Sequence, residues 1–384
     1  MKVSMLVKSA AVALAFGLVA STPAHAVDLQ GSGASFPALL IEACKAPYAA
    51  SGAGHTYVYA SSSSGTGQTN SDKSIGDFWM SDSPYTAATK RASLIHIPVV
   101  AAPIAVLHNL PGRNTLALSA SSVAAIFAGT ITKWNDPILV KENTRTYDKA
   151  IYKKDANGTV ALDAKGNPII LKTYKVKAGI ALPNQTIKVI YRSESSGTSG
   201  NFTKYLNGSA SSIWTKAGNN VFATSFPGNL NSIKNLGRVV GAASSSGVTQ
   251  LAGRTPYSIT YAEVNYAVAN KLKVASLINP AGNLVAPESI GVSGFLAAAT
   301  QDATSGFLTF NYATKDKGAY PLGIVSYMLA DTKYPSAEKA AAVKSVANFF
   351  LSTKCAQDKG ADLGFSVIDG DLLKKSLSQV AKIG

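Results

Sequence analysis

The sequence predicts an α/β protein of two domains, and three observations lead to that expectation. Short β-type runs alternate with helical segments along the chain, which is typical of α/β folds. The chain has 384 residues, more than one hydrophobic core usually supports. Hydrophobic residues make up 46% of it and charged residues only 15%, a balance that indicates a globular rather than a disordered chain.

The amino-terminal segment has the three parts of a secretory signal peptide. Lys2 and Lys8 give it a positive start, the apolar run Ala10–Ala20 follows, and Ala24-His25-Ala26 is a small-residue cleavage site. A membrane anchor is the alternative, but the apolar run is too short to span a bilayer. We therefore expect residues 1–26 to be removed after Ala26 and the mature protein to be periplasmic or secreted.

Helices and strands are predicted from the spacing of apolar residues. The longest β-type run contains Pro98 and Pro103, which we expect to break it. The predicted helices are Phe36–Ala50, Ser119–Ala128, Lys339–Leu351 and one that starts in Asn201–Leu206, and the predicted strands are His55–Ala60, Leu94–His108 and Thr186–Arg192.

The segment Tyr147–Val176 has a different pattern and is rich in Lys and Tyr. Its β-type runs lie beside two turn signals, Asn157-Gly158 and Lys165-Gly166-Asn167-Pro168. We expect a hairpin-like insertion that packs on its domain without lining a ligand cleft. It is either a tolerated surface loop or a docking element for an anionic surface.

The formal net charge of +15 indicates attraction to anions. The lysines are scattered, and no zinc-finger, basic-zipper or RNA-binding signature is present, so no nucleic acid is expected as a partner. An anionic small ligand or an anionic cell surface fits an exported protein better.

The two cysteines are Cys44 and Cys355. In an exported protein an even pair predicts a disulfide, and two buried free thiols are the alternative.

Four loops rich in Ser and Gly are candidates for an anion site. Three of them lie before an expected helix start, where unpaired backbone N–H groups and the helix dipole attract anions. An N-cap or a simple turn explains any one of them alone. Four in one chain favour an anion site, particularly because one begins with Arg, which binds oxyanions through two parallel hydrogen bonds. The loops are Gly31–Pro37, Ser61–Gln68, Ser81–Pro84 and Arg192–Ser199.

Asp82 lies in one of these loops, where a carboxylate should repel an anion. A carboxylate only accepts hydrogen bonds, so it favours an anion that still carries a proton to donate. Phosphate near neutral pH carries such a proton, and sulfate does not. Asp82 therefore predicts selection of phosphate over sulfate.

The four loops, in this order, resemble the ligand loops of PstS-type proteins, the periplasmic phosphate-binding components of ABC phosphate importers, with the DING proteins as a related branch. Two further segments, Val123–Pro137 and Tyr257–Glu263, are also similar to family segments. The resemblance implies the fold of a type II periplasmic binding protein, in which two α/β domains enclose a ligand cleft. It also implies a protein without cofactor or metal that binds inorganic phosphate and delivers it to an ABC permease in the inner membrane. We expect a monomer.

The resemblance also implies a phosphate site. Phe36 would donate its backbone N–H, Asp82 would accept the ligand's proton, and Arg192 would make the charged contact. In the Ser-rich second loop, Ser62 or Ser64 stands as an alternative to Ser63. The implied site residues are Ser35, Phe36, Ser63, Asp82, Arg192, Ser196, Gly197 and Thr198.

The same resemblance implies the domain organisation. Domain I would hold residues 27–103 and 322–384, and domain II would hold residues 104–321 with the insertion. The candidate chain crossings are the Leu94–His108 run and Tyr320-Pro321.

The chain departs from the family pattern at some positions. Glu194 stands where the family commonly has Asp, and Thr260 stands where Gly is usual. These departures and the insertion leave two other functions open: a PstS-like protein repurposed for surface adhesion or signalling, and a DING-like secreted phosphatase.

An enzyme is not expected, because the motifs of common catalytic sites are missing. The sequence has no Gly-x-Ser-x-Gly nucleophile elbow and no P-loop. His55, His96 and His108 have no metal-ligand spacing, so we expect them to be structural.

Overall fold

The computed structural model describes residues 26–88, 90–112, 115–156, 160–164, 167–179, 181–302 and 307–384. All of the predicted signal peptide except Ala26 lies outside the described residues. No helix within these ranges is long and apolar enough to cross a membrane.

Strands and helices alternate along the chain, as predicted. The strands are β1 (Asp28–Ala34), β2 (Thr56–Ser62), β3 (Phe78–Ser81), β4 (Leu94–Pro103), β5 (Ala105–His108), β6 (Ala117–Ser119), β7 (Thr146–Tyr152), β8 (Ile170–Lys177), β9 (Lys188–Arg192), β10 (Val239–Ala242), β11 (Ser258–Ala262), β12 (Lys273–Val274), β13 (Ser276–Ile278), β14 (Leu284–Val285), β15 (Thr300–Gln301), β16 (Leu308–Thr309) and β17 (Gly323–Asp331). The α-helices are α1 (Ala38–Ala49), α2 (Ser64–Asp72), α3 (Ala120–Ala128), α4 (Pro137–Glu142), α5 (Gly197–Ser209), α6 (Phe222–Ser225), α7 (Ser244–Arg254), α8 (Asn265–Ala269), α9 (Ser289–Ala297), α10 (Ala337–Phe350) and α11 (Gly370–Val380).

Two five-stranded sheets share one strand pattern. Their orders are β2-β1-β3-β17-β4 and β10-β9-β11-β5-β12. In each sheet the first three strands are parallel and the fourth is antiparallel to the third. The antiparallel strand β17 joins the first sheet after the chain has built the second, and β5 joins the second sheet directly after β4 of the first. Each sheet therefore contains one strand, β17 or β5, that the chain adds when it arrives from the other sheet.

The chain passes between the two sheets at two adjacent points. It leaves the first sheet at Ile104, between β4 and β5, and returns at Leu322, just before β17. The Ile104 N–H donates to the Leu322 carbonyl at 2.9 Å, and the Tyr320 hydroxyl donates to the Ile104 carbonyl at 2.9 Å. The two crossings are thus hydrogen-bonded to each other, and the division into domains stays a prediction.

The expectation that Pro98 breaks its β-type run is wrong. Pro98 lies inside β4, and the pairing with β17 shifts register at Ser326/Tyr327, opposite this proline. Since β4 is the last strand of its sheet, a residue without an N–H is tolerated at such an edge irregularity.

Two helix starts differ from the predicted ones. The helix expected to start in Asn201–Leu206 begins at Gly197, because the Ser196 side chain caps it by accepting from the Ser199 N–H at 3.3 Å. The helix predicted from Phe36 begins at Ala38, after Pro37.

Aromatic side chains fill the space behind each sheet. On the first, Tyr57 packs edge-on against Phe78 and Phe350 with ring centroids 6.1 and 5.5 Å away. On the second, Phe202 stacks on Tyr261 at 4.2 Å. These buried rings hold α10 and α5 against the strands and so fix where the loops at the strand ends lie.

The segment of the expected insertion forms the antiparallel pair β7 and β8, with Tyr147 opposite Val176. The Tyr147 ring is buried, and the Tyr152 hydroxyl donates to the Gly318 carbonyl at 3.1 Å. In β8, residues 171–175 are exposed. Of the predicted turn signals, Asn157-Gly158 and Lys165-Gly166 lie outside the described residues.

The predicted disulfide between Cys44 and Cys355 is confirmed. It joins α1 to a π-helical turn, Thr353–Gln357, across a sequence separation of 311 residues. Both cysteines are buried, and within the described residues no cysteine is free. The bridge thus ties the first helix to the carboxyl-terminal part of the chain.

Replacing both Cys44 and Cys355 by Ala should lower the free energy of unfolding by about 3–5 kcal/mol, because the bridge closes a very long loop in the unfolded chain. Urea unfolding of the oxidised protein and the double variant measures the difference. Equal stability, or two free thiols in mass spectrometry of the non-reduced protein, would contradict this expectation.

Candidate functional site

The candidate site lies at the carboxyl ends of strands from both sheets. Ser35 follows β1, Asp82 follows β3, Arg192 ends β9 and Glu263 follows β11. The carboxyl ends of parallel strands lie at one edge of a sheet. The first sheet therefore brings Ser35 and Asp82 together, and the second brings Arg192 and Glu263 together. Helices α2, α5 and α7 begin beside these residues, so their positive ends also face the site.

Asp82 is buried, with 3% of its surface exposed. Its carboxylate accepts hydrogen bonds from the Ser326 hydroxyl and, at 3.3 Å, from the Ser64 hydroxyl. Burial raises the pKa of Asp82 to about 6, against the opposing effects of these hydrogen bonds and of the Arg192 charge. At neutral pH the carboxylate is therefore mostly ionised and acts as an acceptor.

The guanidinium of Arg192 is buried and held on several sides. Its Nε donates to Glu194 Oε1 at 2.6 Å, and Nη2 forms an ion pair with the same oxygen. Its Nη1 donates to Ser245 Oγ at 3.1 Å and lies 3.5 Å from Thr198 Oγ1. Glu194 occupies the edge of the guanidinium formed by Nε and Nη2. The remaining nitrogen, Nη1, is therefore directed at the hydroxyls of Ser245 and Thr198.

Ser35, just after a strand of the first sheet, contacts Ser245 at the start of α7 beside the second sheet. Its Oγ lies 3.2 Å from Ser245 Oγ and accepts from the Ser245 N–H at 3.2 Å. The neighbouring Phe36 ring is fully buried and packs edge-on against Phe365, with centroids 5.9 Å apart. Phe36 thereby anchors the loop that presents Ser35.

Gly197 and its neighbours bring the two sides into contact. A Cβ at Gly197 would lie 2.6 Å from Ser64 Oγ and 2.7 Å from Asp82 Cβ, so only glycine fits there. The Asn201 side-chain amide donates to the Asp82 carbonyl at 2.7 Å and to the Gly197 carbonyl at 2.9 Å. The two groups of strand ends are thus closed onto each other.

The second loop divides its serines between two tasks. Ser63 caps α2 by accepting from the Thr66 N–H at 3.1 Å. Ser64 both accepts from the Asp82 N–H at 3.0 Å and donates to its carboxylate. Ser64, which the sequence left as an alternative, therefore contacts Asp82, and Ser63 holds the helix start in place.

Sequence reasoning missed Ser245, Glu263 and Ser326. Ser245 belongs to Ser244-Ser-Ser-Gly247 after β10, a Ser/Gly pattern at a helix start that resembles the second loop and could have been recognised. Glu263 ends the segment Tyr257–Glu263, which is similar to a family segment but has no anion-site pattern of its own. Ser326 gave no signal beyond being a polar residue in the fully buried strand β17.

His55, His96 and His108 have structural roles, as the sequence predicted. His55 Nδ1 accepts from the Val27 N–H, His96 Nε2 from the Tyr85 N–H and His108 Nδ1 from the Leu110 N–H. Burial lowers the pKa of His96 and of His108 to about 3, so both are neutral. Within the described part of the chain, no group of three or more His, Cys, Asp or Glu could hold a metal ion.

Solved structures resemble this fold over most of the chain. A DING protein superposes with a TM-score of 0.66 at 20% identity, over 91% of this chain and 94% of that one. The phosphate-bound periplasmic phosphate-binding protein PfluDING superposes with a TM-score of 0.64 at 20% identity, over 91% and 93%. At this identity the likeness concerns the fold, which is that of a type II periplasmic binding protein, as predicted.

Sequence comparisons cover a similar extent. A family model described as PBP superfamily domain matches residues 19–354. The phosphate-binding protein PstS2 of Mycobacterium bovis is 30% identical over 334 residues, which are 83% of this chain and 77% of that protein. The phosphate-binding protein PstS of Methanocaldococcus jannaschii is 26% identical over 375 residues, 93% of this chain and 86% of that protein. With the shared fold and the ordered ligand-type loops, these matches show that the chain belongs to the PBP superfamily and, within it, to the PstS family of phosphate-binding proteins.

Proposed function

We propose that this protein binds inorganic phosphate in the site between its two sheets and delivers it to the permease of an ABC importer. The observation that carries the proposal is the joint burial of Arg192 and Asp82 in one site, a cation for the anion and an acceptor for the anion's proton. The protein would act as a periplasmic or secreted monomer after cleavage of its signal peptide behind Ala26.

Arg192 and the helix starts supply positive charge and hydrogen-bond donors for an anion. The guanidinium carries a fixed charge, and Glu194 holds it in one orientation. The first turns of α5 and α7 bring hydroxyls, backbone N–H groups and the positive ends of the helix dipoles to the same place, where the Ser199 and Ser245 N–H groups donate to Ser196 and Ser35. An oxyanion could thus exchange its water shell for buried donors.

Asp82 supplies the selectivity. Its carboxylate is buried and largely ionised at neutral pH. Hydrogen phosphate can donate its proton to this carboxylate, whereas sulfate would meet a repelling, unpaired acceptor. The full proposed ligand set is Ser35, Phe36, Ser63, Asp82, Arg192, Ser196, Gly197 and Thr198, with Ser64 as the hydroxyl that orients Asp82.

Two domains that move about the paired crossings would admit and enclose the phosphate. The boundaries proposed for them are residues 27–103 with 322–384, and residues 104–321. Contacts such as Asn201 to Asp82 would form on closure, and the bond between Ile104 and Leu322 would remain at the hinge.

Binding rather than turnover is the role that this site favours. Serine hydroxyls in it are engaged by Asp82, by Arg192 or by helix starts, and the neutral histidines lie in structural hydrogen bonds elsewhere. Phosphate-ester hydrolysis usually requires a nucleophile activated by a general base, whereas the imidazoles of His96 and His108 are taken up by structural hydrogen bonds.

Asp82→Asn should weaken phosphate binding by about 10- to 100-fold, because a charge-assisted hydrogen bond in a buried site is lost. Sulfate binding should become measurable, since the Asn amide can donate to an oxyanion without a proton. Calorimetry with phosphate and sulfate measures both, with the exposed Asp371→Asn as the matched control. Wild-type protein that binds sulfate as tightly as phosphate would refute the role given to Asp82.

Arg192→Ala should reduce phosphate affinity by about 2–5 kcal/mol, because a buried charged contact is removed. Arg192→Lys should recover only part of it, since an ammonium cannot offer two parallel donors. Arg254→Ala, an exposed arginine at the end of α7, serves as the control. Circular dichroism confirms that each variant is folded, and unchanged affinity in folded Arg192→Ala would place the site elsewhere.

A second role, docking on an anionic partner surface, is favoured by the hairpin of β7 and β8. Its strand β8 exposes Lys172, Lys175 and Lys177 together with Tyr174. These lysines lie on both faces of β8, and Lys175 pairs with Asp148, whereas Tyr147 fixes the base of the hairpin to its domain. Such a surface would attract an anionic partner at moderate salt.

Replacing residues 149–174 by a short Gly-Ser turn, which keeps the Tyr147–Val176 pair, should leave phosphate affinity nearly unchanged. Under the docking role the same variant should lose its binding to vesicles of anionic lipid, as should a Lys172→Glu/Lys175→Glu variant. Calorimetry and vesicle co-sedimentation give the two readouts. A large loss of phosphate affinity in the folded variant would mean that the hairpin helps to form the cleft.

A further inference from the structure

Glu263 is a carboxyl group buried in the wall of the candidate site that the proposed phosphate contacts do not use. It follows β11 directly, and only 2% of its surface is exposed. Its Oε1 accepts from the Ser245 hydroxyl at 3.2 Å, while its Oε2 is buried and has no hydrogen-bond partner among the described residues. A buried carboxylate oxygen without a partner is costly, so the protonation state of Glu263 requires an explanation.

The Ser245 hydroxyl connects Glu263 to the charged centre. Arg192 Nη1 donates to Ser245 Oγ at 3.1 Å, which leaves the serine proton for another acceptor. Ser35 Oγ and Glu263 Oε1 both lie 3.2 Å away, and the Ser245 hydroxyl donates to Glu263 Oε1. Glu263 thereby orients Ser245, and the Ser245 hydroxyl is the single group that links Glu263 to Arg192.

The charges around Glu263 disfavour its ionised form. Arg192 on β9 is the neighbouring cation, but Glu194 already pairs with it and Asp82 faces it from the loop after β3. From α8, Tyr266 interacts electrostatically with Glu263, and burial raises the pKa of this tyrosine so that it stays neutral. Burial raises the pKa of Glu263 to about 8, and the Asp82 charge adds to this effect. A backbone hydrogen bond of Glu263, the Arg192 charge and the Ser245 hydroxyl oppose it.

We propose that Glu263 is a positioning residue that holds a proton while phosphate is bound, and that its ionised form competes with phosphate for Arg192. This inference rests on the proposed phosphate function. With Glu263 neutral, one guanidinium faces two carboxylates and the anion. With Glu263 ionised, a third carboxylate shares the same cation in a medium of low dielectric constant, and the anion is repelled.

A defined pH dependence follows. Above neutrality phosphate is already doubly ionised and Asp82 has lost its proton, so neither titrates between pH 8 and 9. Between pH 8 and 9, phosphate binding would therefore require a proton on Glu263 and on neither of the other two groups. Phosphate binding should therefore take up protons near pH 8, and affinity should fall as pH rises further.

The experiment measures phosphate affinity by calorimetry from pH 7 to 9 at constant ionic strength, for wild type and Glu263→Gln. For wild type we expect the dissociation constant to rise toward about tenfold per pH unit above about pH 8. Glu263→Gln, which mimics the neutral carboxyl, should bind within a few-fold of wild type at pH 7 and lose this rise. Glu42→Gln on the exposed face of α1 and Tyr266→Phe are controls that should keep it.

Proton uptake provides an independent readout on the unmodified protein. Titration at pH 8 in two buffers with different heats of ionisation should give an uptake of about half a proton per phosphate for wild type and none for Glu263→Gln. This measurement stands even if the variant does not fold, because it uses the wild type.

The outcomes separate the inference from the proposed function. No phosphate binding at pH 7 would refute the function itself. Tight binding at pH 7 with an affinity that stays constant to pH 9, or without proton uptake at pH 8, would overturn the inference alone. A pH dependence that persists in Glu263→Gln would assign the proton to another group and would overturn it as well.

Discussion

The architecture of the site depends on the burial of one guanidinium. Arg192 has 2% of its surface exposed, and a buried charge is tolerated only with a partner and with its hydrogen bonds made. Glu194 provides the partner, and Ser245 and Thr198 receive the remaining donor group. The elements that carry these side chains are therefore constrained to meet at Arg192, which sets the positions of the first turns of α5 and α7.

The common strand pattern of the two sheets makes this convergence possible. In both sheets the three parallel strands end at the edge where the other sheet's loops lie, so short polar loops from distant parts of the chain reach one point. The exchange of β5 and β17 leaves two adjacent crossings, and the contact of Gly197 with Ser64 and Asp82 lies beyond them. Paired crossings behind a glycine-lined contact are well suited to a cleft that opens and closes.

Local sequence predicted much of this molecule because several determinants are local. The loops before α1, α2 and α5 combine small residues with a helix start, and Arg192 lies in one of them. Asp82 lies in the short polar loop after β3, where its charge is unusual beside an anion site, so local pattern indicated both. The pairing of Cys44 with Cys355 followed from their number and the expected compartment. Ser326 and Glu263 could not be found in this way, because their role comes from distant strands that lie beside Asp82 and Arg192 only after folding. Pro98 was misjudged for the same reason, since its tolerance depends on β4 being an edge strand.

Three carboxyl groups around one cation act differently because their surroundings differ. Glu194 makes a direct ion pair along one edge of Arg192. Asp82 is buried but receives two hydroxyl hydrogen bonds, which offset much of the burial and keep it an acceptor at neutral pH. Glu263 receives one hydroxyl bond, and its second oxygen has none in the described structure, so the same burial favours its protonated form. The hydroxyl hydrogen bonds offered to Asp82 and Glu263 thus help to decide which of the two carries charge when an anion enters.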